Sequence, residues 1–187
     1  MPLGDVIDFV NGFVRKHDIP HVYIGGIAAS ILGRKRDTFD ADVVIFIEPV
    51  GVPDLLDALE ESGIALGDVR DKLGHQLEIG YPAKFLWDDQ FSFDLRLGSV
   101  SLDFESLERS VPADGPEGRE VVIPPPEEMI VYKLARFSKK DKNDIVGIIQ
   151  KQKGLDWNRI EALAVELARE AHLPKILENL DSLAALA

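Results

Sequence analysis

The sequence predicts an α/β (α+β) lobe, a mixed sheet flanked by helices, that carries a second lobe made of helices alone. Three features of its 187 residues predict this. Between residues 3 and 123, short runs rich in β-branched residues alternate with segments whose apolar residues recur at helical spacing. Pro124, Pro125 and Pro126 then interrupt the chain. Beyond them every periodic segment has the helical repeat, and strands with interspersed helices followed by helices only is the pattern of such a two-part fold. The division falls at 1–123 for the α/β lobe and 124–187 for the helical lobe packed on it.

Val6, Phe9, Val10, Phe13 and Val14 place residues 3 to 16 in an amphipathic helix. HVYIG, from His21, is a short strand; it runs into Gly25 and Gly26 and then the small-residue helix IAASILG, closed by Gly33. ADVVIFIEP is a β-branched strand ended by Pro49. Pro53 near its first turn and Gly63 past its last bound a helix holding Leu55, Leu56 and Leu59. HQLEIG (75–80) and QFSFDLRL (90–97) alternate as strands do, VPADGPEGRE is a loop by its Gly and Pro content, and REVVIP after it is another short strand. EEMIVYKLARF, DIVGIIQKQ, WNRIEALAVELAREA and PKILENLDSLAALA are helices. Trp87 and Trp157 are expected as core anchors. The histidines at 17, 21, 75 and 172 share no ligand spacing and read as structural or surface residues.

Composition narrows the function classes. Apolar residues make up 45% and charged residues 29% of the chain, an ordinary soluble balance that can bury a core without staples. With no cysteine, disulfides and thiolate metal sites are excluded. No apolar run reaches the roughly 18 to 20 residues of a membrane span, and the start, MPLGDVIDFVNGF, lacks a basic signal-peptide region. A cytoplasmic protein without a membrane partner is expected. A net charge of −12 opposes binding nucleic acid through bulk electrostatics, since phosphate contacts need Lys and Arg. Two local basic clusters remain, Arg34, Lys35 and Arg36, and Lys139, Lys140 and Lys142.

The chemistry-bearing stretch is YIGGIAASILGRKRDTFDADVVIFIEP. Side chains alternate along a strand, so Asp40 and Asp42 point the same way with Cα atoms about 6.5 to 7 Å apart. Their carboxylates can converge on a cation. Buried carboxylates are costly unless something positive meets them, so either ion pairs or a metal is expected there. Gly25 and Gly26, between a strand and a helix, would let a polyphosphate approach backbone N–H groups at the helix start. Thirteen residues lie between Gly26 and Asp40, enough for one short helix and a return to the neighbouring strand.

Strand, Gly-Gly, helix, then Asp-x-Asp on the next strand resembles the signature of the nucleotidyltransferase superfamily, with its DNA polymerase β-like fold. GRKRDTFDADVVI is similar to the branch of abortive-infection toxin and minimal nucleotidyltransferases, where Arg-x-Thr precedes the aspartates, as Arg36 and Thr38 do here. FSFDLRL matches the family's strand with a third carboxylate, giving that role to Asp94. PPPEEMIVYKLARFSKKDKNDI resembles the branch's helical segment and sets Lys133, Lys140, Asp141 and Asp144 in corresponding positions. The likeness covers roughly residues 20 to 150.

The resemblance implies Mg²⁺- or Mn²⁺-dependent transfer of an NMP from an NTP to an acceptor such as RNA, a protein or a small molecule, in a toxin–antitoxin or phage-defence setting. It implies Asp40, Asp42 and Asp94 as catalytic residues and metal ligands, and Gly25, Gly26, Arg36, Thr38, Lys133 and Asp141 as nucleotide-binding residues. Asp103 in SLDFESL is a rival third carboxylate; Phe93 and Leu95 flank Asp94 in strand register, while Asp103 has the look of a helix start. The other readings are a non-catalytic toxin or antitoxin partner of the same fold, and a scaffold in which arginines pair with Asp40 and Asp42.

Overall fold

The apolar stripe at the N-terminus folds as helix α1 (Leu3–Lys16), which buries Val6, Ile7, Val10, Phe13 and Val14. A computed structural model describes residues 3–88 and 90–185. In chain order there follow β1 (His21–Tyr23), α2 (Gly25–Leu32), β2 (Asp40–Ile45), α3 (Val52–Glu61), β3 (Ala65–Leu66), α4 (Arg70–Glu78), β4 (Ala83–Leu86), β5 (Ser92–Leu97) and α5 (Ser101–Glu108). The chain continues through β6 (Val111–Asp114), β7 (Glu120–Ile123), α6 (Pro126–Arg136), α7 (Lys139–Lys151), α8 (Trp157–Glu170) and α9 (Lys175–Asp181). No described helix is long and apolar enough to cross a membrane.

Five strands form one sheet in the order β1–β2–β5–β4–β3, and β6 and β7 form a separate hairpin. The central pair, β2 and β5, is parallel, and the other neighbours are antiparallel. The mixed sheet expected from sequence is thus present. Strand alternation sorts its two faces. Ala41, Val43, Phe93, Leu95, Ala83 and Phe85 are buried, whereas Asp40, Asp42, Ser92 and Asp94 are half-buried and Lys84 is exposed. On the apolar face, Phe9, Val10 and Phe13 of α1 and Leu55 and Leu59 of α3 close around Phe93 and Leu95. The opposite face carries the polar row.

Five readings of the sequence change. Residues 75–80 are not a strand: most lie in α4, whose Leu73 and Leu77 are buried four residues apart, and six residues were too few to separate a period of 2 from one of 3.6. VPAD is not loop but strand β6, pairing Val111 with Ile123 and Asp114 with Glu120. The Gly and Pro signals belonged to the turn at its tip, Pro116–Gly118. AKFL, too short to read as an element, is β4. Trp157 stands exposed at the start of α8 rather than in the core, while Trp87 is half-buried with its ring 5.2 Å from Phe9. The C-terminal helix ends at Asp181 and is followed by a tight turn, Ser182–Ala185; residues 186 and 187, to which it was expected to extend, lie outside the described residues.

Gly33 does end α2, with a φ of −124° that other residues also adopt. Its requirement for glycine comes from α7. A Cβ on Gly33 would stand 2.7 Å from the Ile148 backbone N, and one on Gly147 would stand 2.9 Å from the Arg34 N. The chain leaving α2 is therefore pressed backbone to backbone against α7. Gly33→Ala is expected to lower stability by about 1–3 kcal/mol, the usual cost of overpacking. Gly12→Ala is expected to raise it by about 0.5–1 kcal/mol, since Gly12 is exposed in α1 and an added methyl would meet nothing within 4 Å. Denaturant midpoints of the two variants against wild type check both signs.

Candidate active site

Parallel pairing of β2 with β5 sets Asp42 opposite Asp94, and antiparallel pairing of β4 with β5 sets Lys84 opposite Asp94. Asp42, Asp94 and Lys84 therefore form one row across three strands, with Asp40 and Ser92 in the next row on the same face. The structure sets all three carboxylates that the sequence singles out on one sheet face.

The first turn of α2 lies against Asp42. Gly25 has a φ of +61°, and a Cβ on it would overlap the Asp42 carboxylate. The Gly26 N–H donates to Asp42 Oδ2 at 3.4 Å, and a Cβ on Gly26 would stand 2.6 Å from Thr38 Oγ1. At these glycines the side chains that approach the backbone are the chain's own Asp42 and Thr38. Thr38 Oγ1 in turn donates to Asp40 Oδ1 at 2.9 Å. Burial, and next the charge of Asp40, push the Asp42 carboxyl above the usual carboxylate range; Gly26, Lys133 and Arg136 oppose the rise.

Asp94 is held from the other side. Lys84 Nζ lies 3.3 Å from Asp94 Oδ1 and donates to Ser92 Oγ at 3.1 Å. The Asp94 contact is an ion pair by distance without hydrogen-bond geometry, which leaves Oδ1 buried without a hydrogen-bond partner. Burial pushes the Asp94 carboxyl up, and the Lys84 charge only partly offsets this. Among the described residues, no three carboxylate or imidazole groups converge on a common point. Each acid is turned to a donor of the chain: Asp40 to Thr38, Asp42 to Gly26 and Asp94 to Lys84.

The other expected site residues form an ion-pair chain beside this row. Arg36 grips Asp144 through Nε at 2.8 Å and a second nitrogen at 3.0 Å. Lys133 lies 3.0 Å from Asp144 and 3.3 Å from Asp141, and Arg136 reaches Asp141 at 3.0 Å. Asp141 also caps α7, where Ser138 N and Oγ donate to its Oδ2 at 3.1 and 2.6 Å. Burial raises the Asp141 and Asp144 carboxyls, but their basic and hydroxyl donors outweigh it, and both sit below the usual range. Lys140 is exposed.

Two cations of the site escaped the sequence reading. Arg136 is 71% exposed, and its charge acts on both Asp40 and Asp42. Its signal was present, one turn past Lys133 on the same helix. Lys84 had none, because β4 was too short to recognise and only register sets it against Asp94. The rival Asp103 is 0% exposed and fully engaged: Arg96 binds both its oxygens, Ser99 N donates at 2.9 Å and Tyr132 OH at 2.8 Å. It anchors the start of α5.

No family model and no curated protein sequence matches the chain. Solved structures do. The antibiotic-resistance factor ANT(2'')-Ia aligns with a TM-score of 0.60 over 92% of this chain and 95% of its own, at 17% identity. An antigenic nucleotidyltransferase-like protein from Paracoccidioides brasiliensis aligns with a TM-score of 0.52 over 96% and 92%, at 18% identity. The lincomycin-bound lincosamide antibiotic adenylyltransferase LnuA aligns with a TM-score of 0.51 over 78% and 96%, at 12% identity. The chain has the nucleotidyltransferase fold. At these identities the likeness establishes the fold and does not reach a branch or a substrate. Within the nucleotidyltransferase fold of this chain, the acidic row occupies the open sheet face and the Arg36–Asp144–Lys133–Asp141–Arg136 chain borders it.

Two outcomes follow from the ion pairs. Asp103→Ala is expected to cost about 3–5 kcal/mol, because it leaves the Arg96 charge buried and unpaired; urea unfolding of the variant measures it. Asp144 has a depressed carboxyl, so its contribution is fully present above the unfolded value near pH 4 and is lost as pH falls through the folded value. Asp144→Asn is expected to flatten the acid limb of stability against pH, and an unchanged limb would mean that the pair is not an acid-sensitive contact.

Proposed function

We propose that the protein transfers an NMP from an NTP to an acceptor hydroxyl with the help of divalent cations. The observation that carries this reading is the register of Asp42 with Asp94 beside Asp40 on one open sheet face. An all-oxygen donor set suits Mg²⁺ or Mn²⁺. The half-buried acids and the orphaned Asp94 Oδ1 supply the unmet charge that such an ion would neutralise. Asp40, Asp42 and Asp94 would hold it. Bound divalent ions shield the triphosphate and lower the pKa of the attacking hydroxyl.

The chain's own groups do the rest. In the reaction the acceptor oxygen bonds to the α-phosphorus, the bond to the bridging oxygen breaks, and pyrophosphate leaves. Asp94, on β5, takes the acceptor proton. The first turn of α2, with Gly25 and Gly26, and the solvent-facing Arg136 are the groups we assign to the phosphates. Arg36, Thr38, Lys133 and Asp141 support this reading as the layer that fixes Asp40 and the positive field beside it. The charge of −12 favours a small hydroxyl-bearing acceptor over a polyanionic one.

Binding and transfer test the reading together. An NTP at a hundredfold its Kd adds about 2.7 kcal/mol, which for a chain of this size is about 5–11 °C in Tm. That shift is expected with Mg²⁺ or Mn²⁺ and not in EDTA. Asp94→Ala should keep most of the shift while losing about 10²- to 10⁴-fold in single-turnover label transfer from NTP to acceptors in an extract. Equal shifts with and without metal, and no labelled product with any NTP, would overturn it.

A further inference from the structure

The three acids of the row are held by different kinds of donor. Asp40 and Asp42 accept from a hydroxyl and a backbone N–H, both neutral. Of the three, Asp94 is the acid with a cation within ion-pair range among the described residues, and that cation is Lys84. Arg96, two residues along the same strand face, is already committed to Asp103. Lys84 is thus the chain's own counter-ion at the third carboxylate.

Its anchoring differs from that of the other cations. The Lys84 backbone is fixed, since its carbonyl accepts from Gly67 N at 2.9 Å and its strand is paired on both sides. The side chain is 49% exposed, whereas Lys133 is 7% exposed and wedged between two aspartates. A long flexible ammonium on a fixed backbone can leave for water without moving the sheet. Asp94, at 18% exposure, cannot.

We propose that Lys84 is a positioning residue that occupies Asp94 in place of a divalent cation and so makes metal entry depend on the nucleotide. This rests on the function proposed above. Lys84 and a divalent ion at Asp94 would compete for one carboxylate, because the two cations repel one another. A free ion must displace the ammonium to gain one ligand. An ion already held by a triphosphate brings its own oxygen ligands and negative charge, and the displaced Lys84 ammonium then remains beside those phosphates. The site therefore discriminates against bare metal and loads the ion together with its NTP.

The test is Mn²⁺ binding without nucleotide, followed by the paramagnetic signal of the free ion, in wild type, Lys84→Met and Lys84→Arg. Lys84→Met is expected to bind Mn²⁺ about three- to tenfold more tightly than wild type, in the lower part of the coupling seen between groups in contact. Lys84→Arg, which keeps the charge, should bind as weakly as wild type. Removing a merely structural lysine would loosen the site rather than tighten it. Lys84→Gln repeats the measurement should the methionine variant fold poorly. Mn²⁺ binding that is equal or weaker in both neutral variants overturns the role of Lys84 and leaves the nucleotidyltransferase reading intact. Mn²⁺ bound by no variant, either alone or with any NTP, overturns that reading and this inference with it.

Discussion

Repulsion among three carboxylates on one sheet face is the constraint that the rest of the structure answers. Asp40 and Asp42 share a face because a strand repeats every two residues, and parallel pairing sets Asp94 directly beside Asp42. Burial first, and then the neighbouring carboxylates, raise the proton affinity of Asp42 and Asp94. Each acid accordingly has its own relief: a threonine hydroxyl, the first turn of a helix, and a lysine. None of these neutralises the group completely, so the row keeps a negative field that an incoming cation can use.

The next layer out is the ion-pair chain from Arg36 to Arg136. It ties the segment between α2 and β2 to α6 and α7, elements more than ninety residues further along the sequence. The Gly33–Gly147 approach makes the same connection through the backbone. Charge and packing thus fix one joint twice. Lys133 is buried between its two aspartates and holds this joint, while Arg136, on the following turn of the same helix, remains open to solvent. One helix supplies both a structural and an available cation because its side chains rotate about 100° per residue.

The outline of this arrangement was legible in the sequence. Asp40 and Asp42 announced a shared face through their spacing, and Phe93 and Leu95 identified Asp94 as the strand-borne acid, with Asp103 at a helix start. The reason for the glycine pair was not legible. A sequence shows that Gly25 and Gly26 carry no side chain, and only the fold shows that Asp42 and Thr38 stand against them. Lys84 was hidden for a related reason: register between strands depends on the packing of the whole sheet and leaves no local trace. The errors in α4 and β6 have different causes. Over six residues the helical and strand periods are barely distinguishable, which hid α4, while the Gly and Pro of its own turn hid β6.

The overlap between Gly25 and Asp42 has a consequence for how this site could decay. Position 25 can accept a side chain only if the carboxylate at 42 is gone, and the backbone at +61° would still resist it. The two positions are therefore not free to drift separately. Descendants of this chain that abandoned the acid would release the glycine afterwards, in that order. The pair would serve as a historical record, readable in sequence alone, of whether a copy still depends on its charged face.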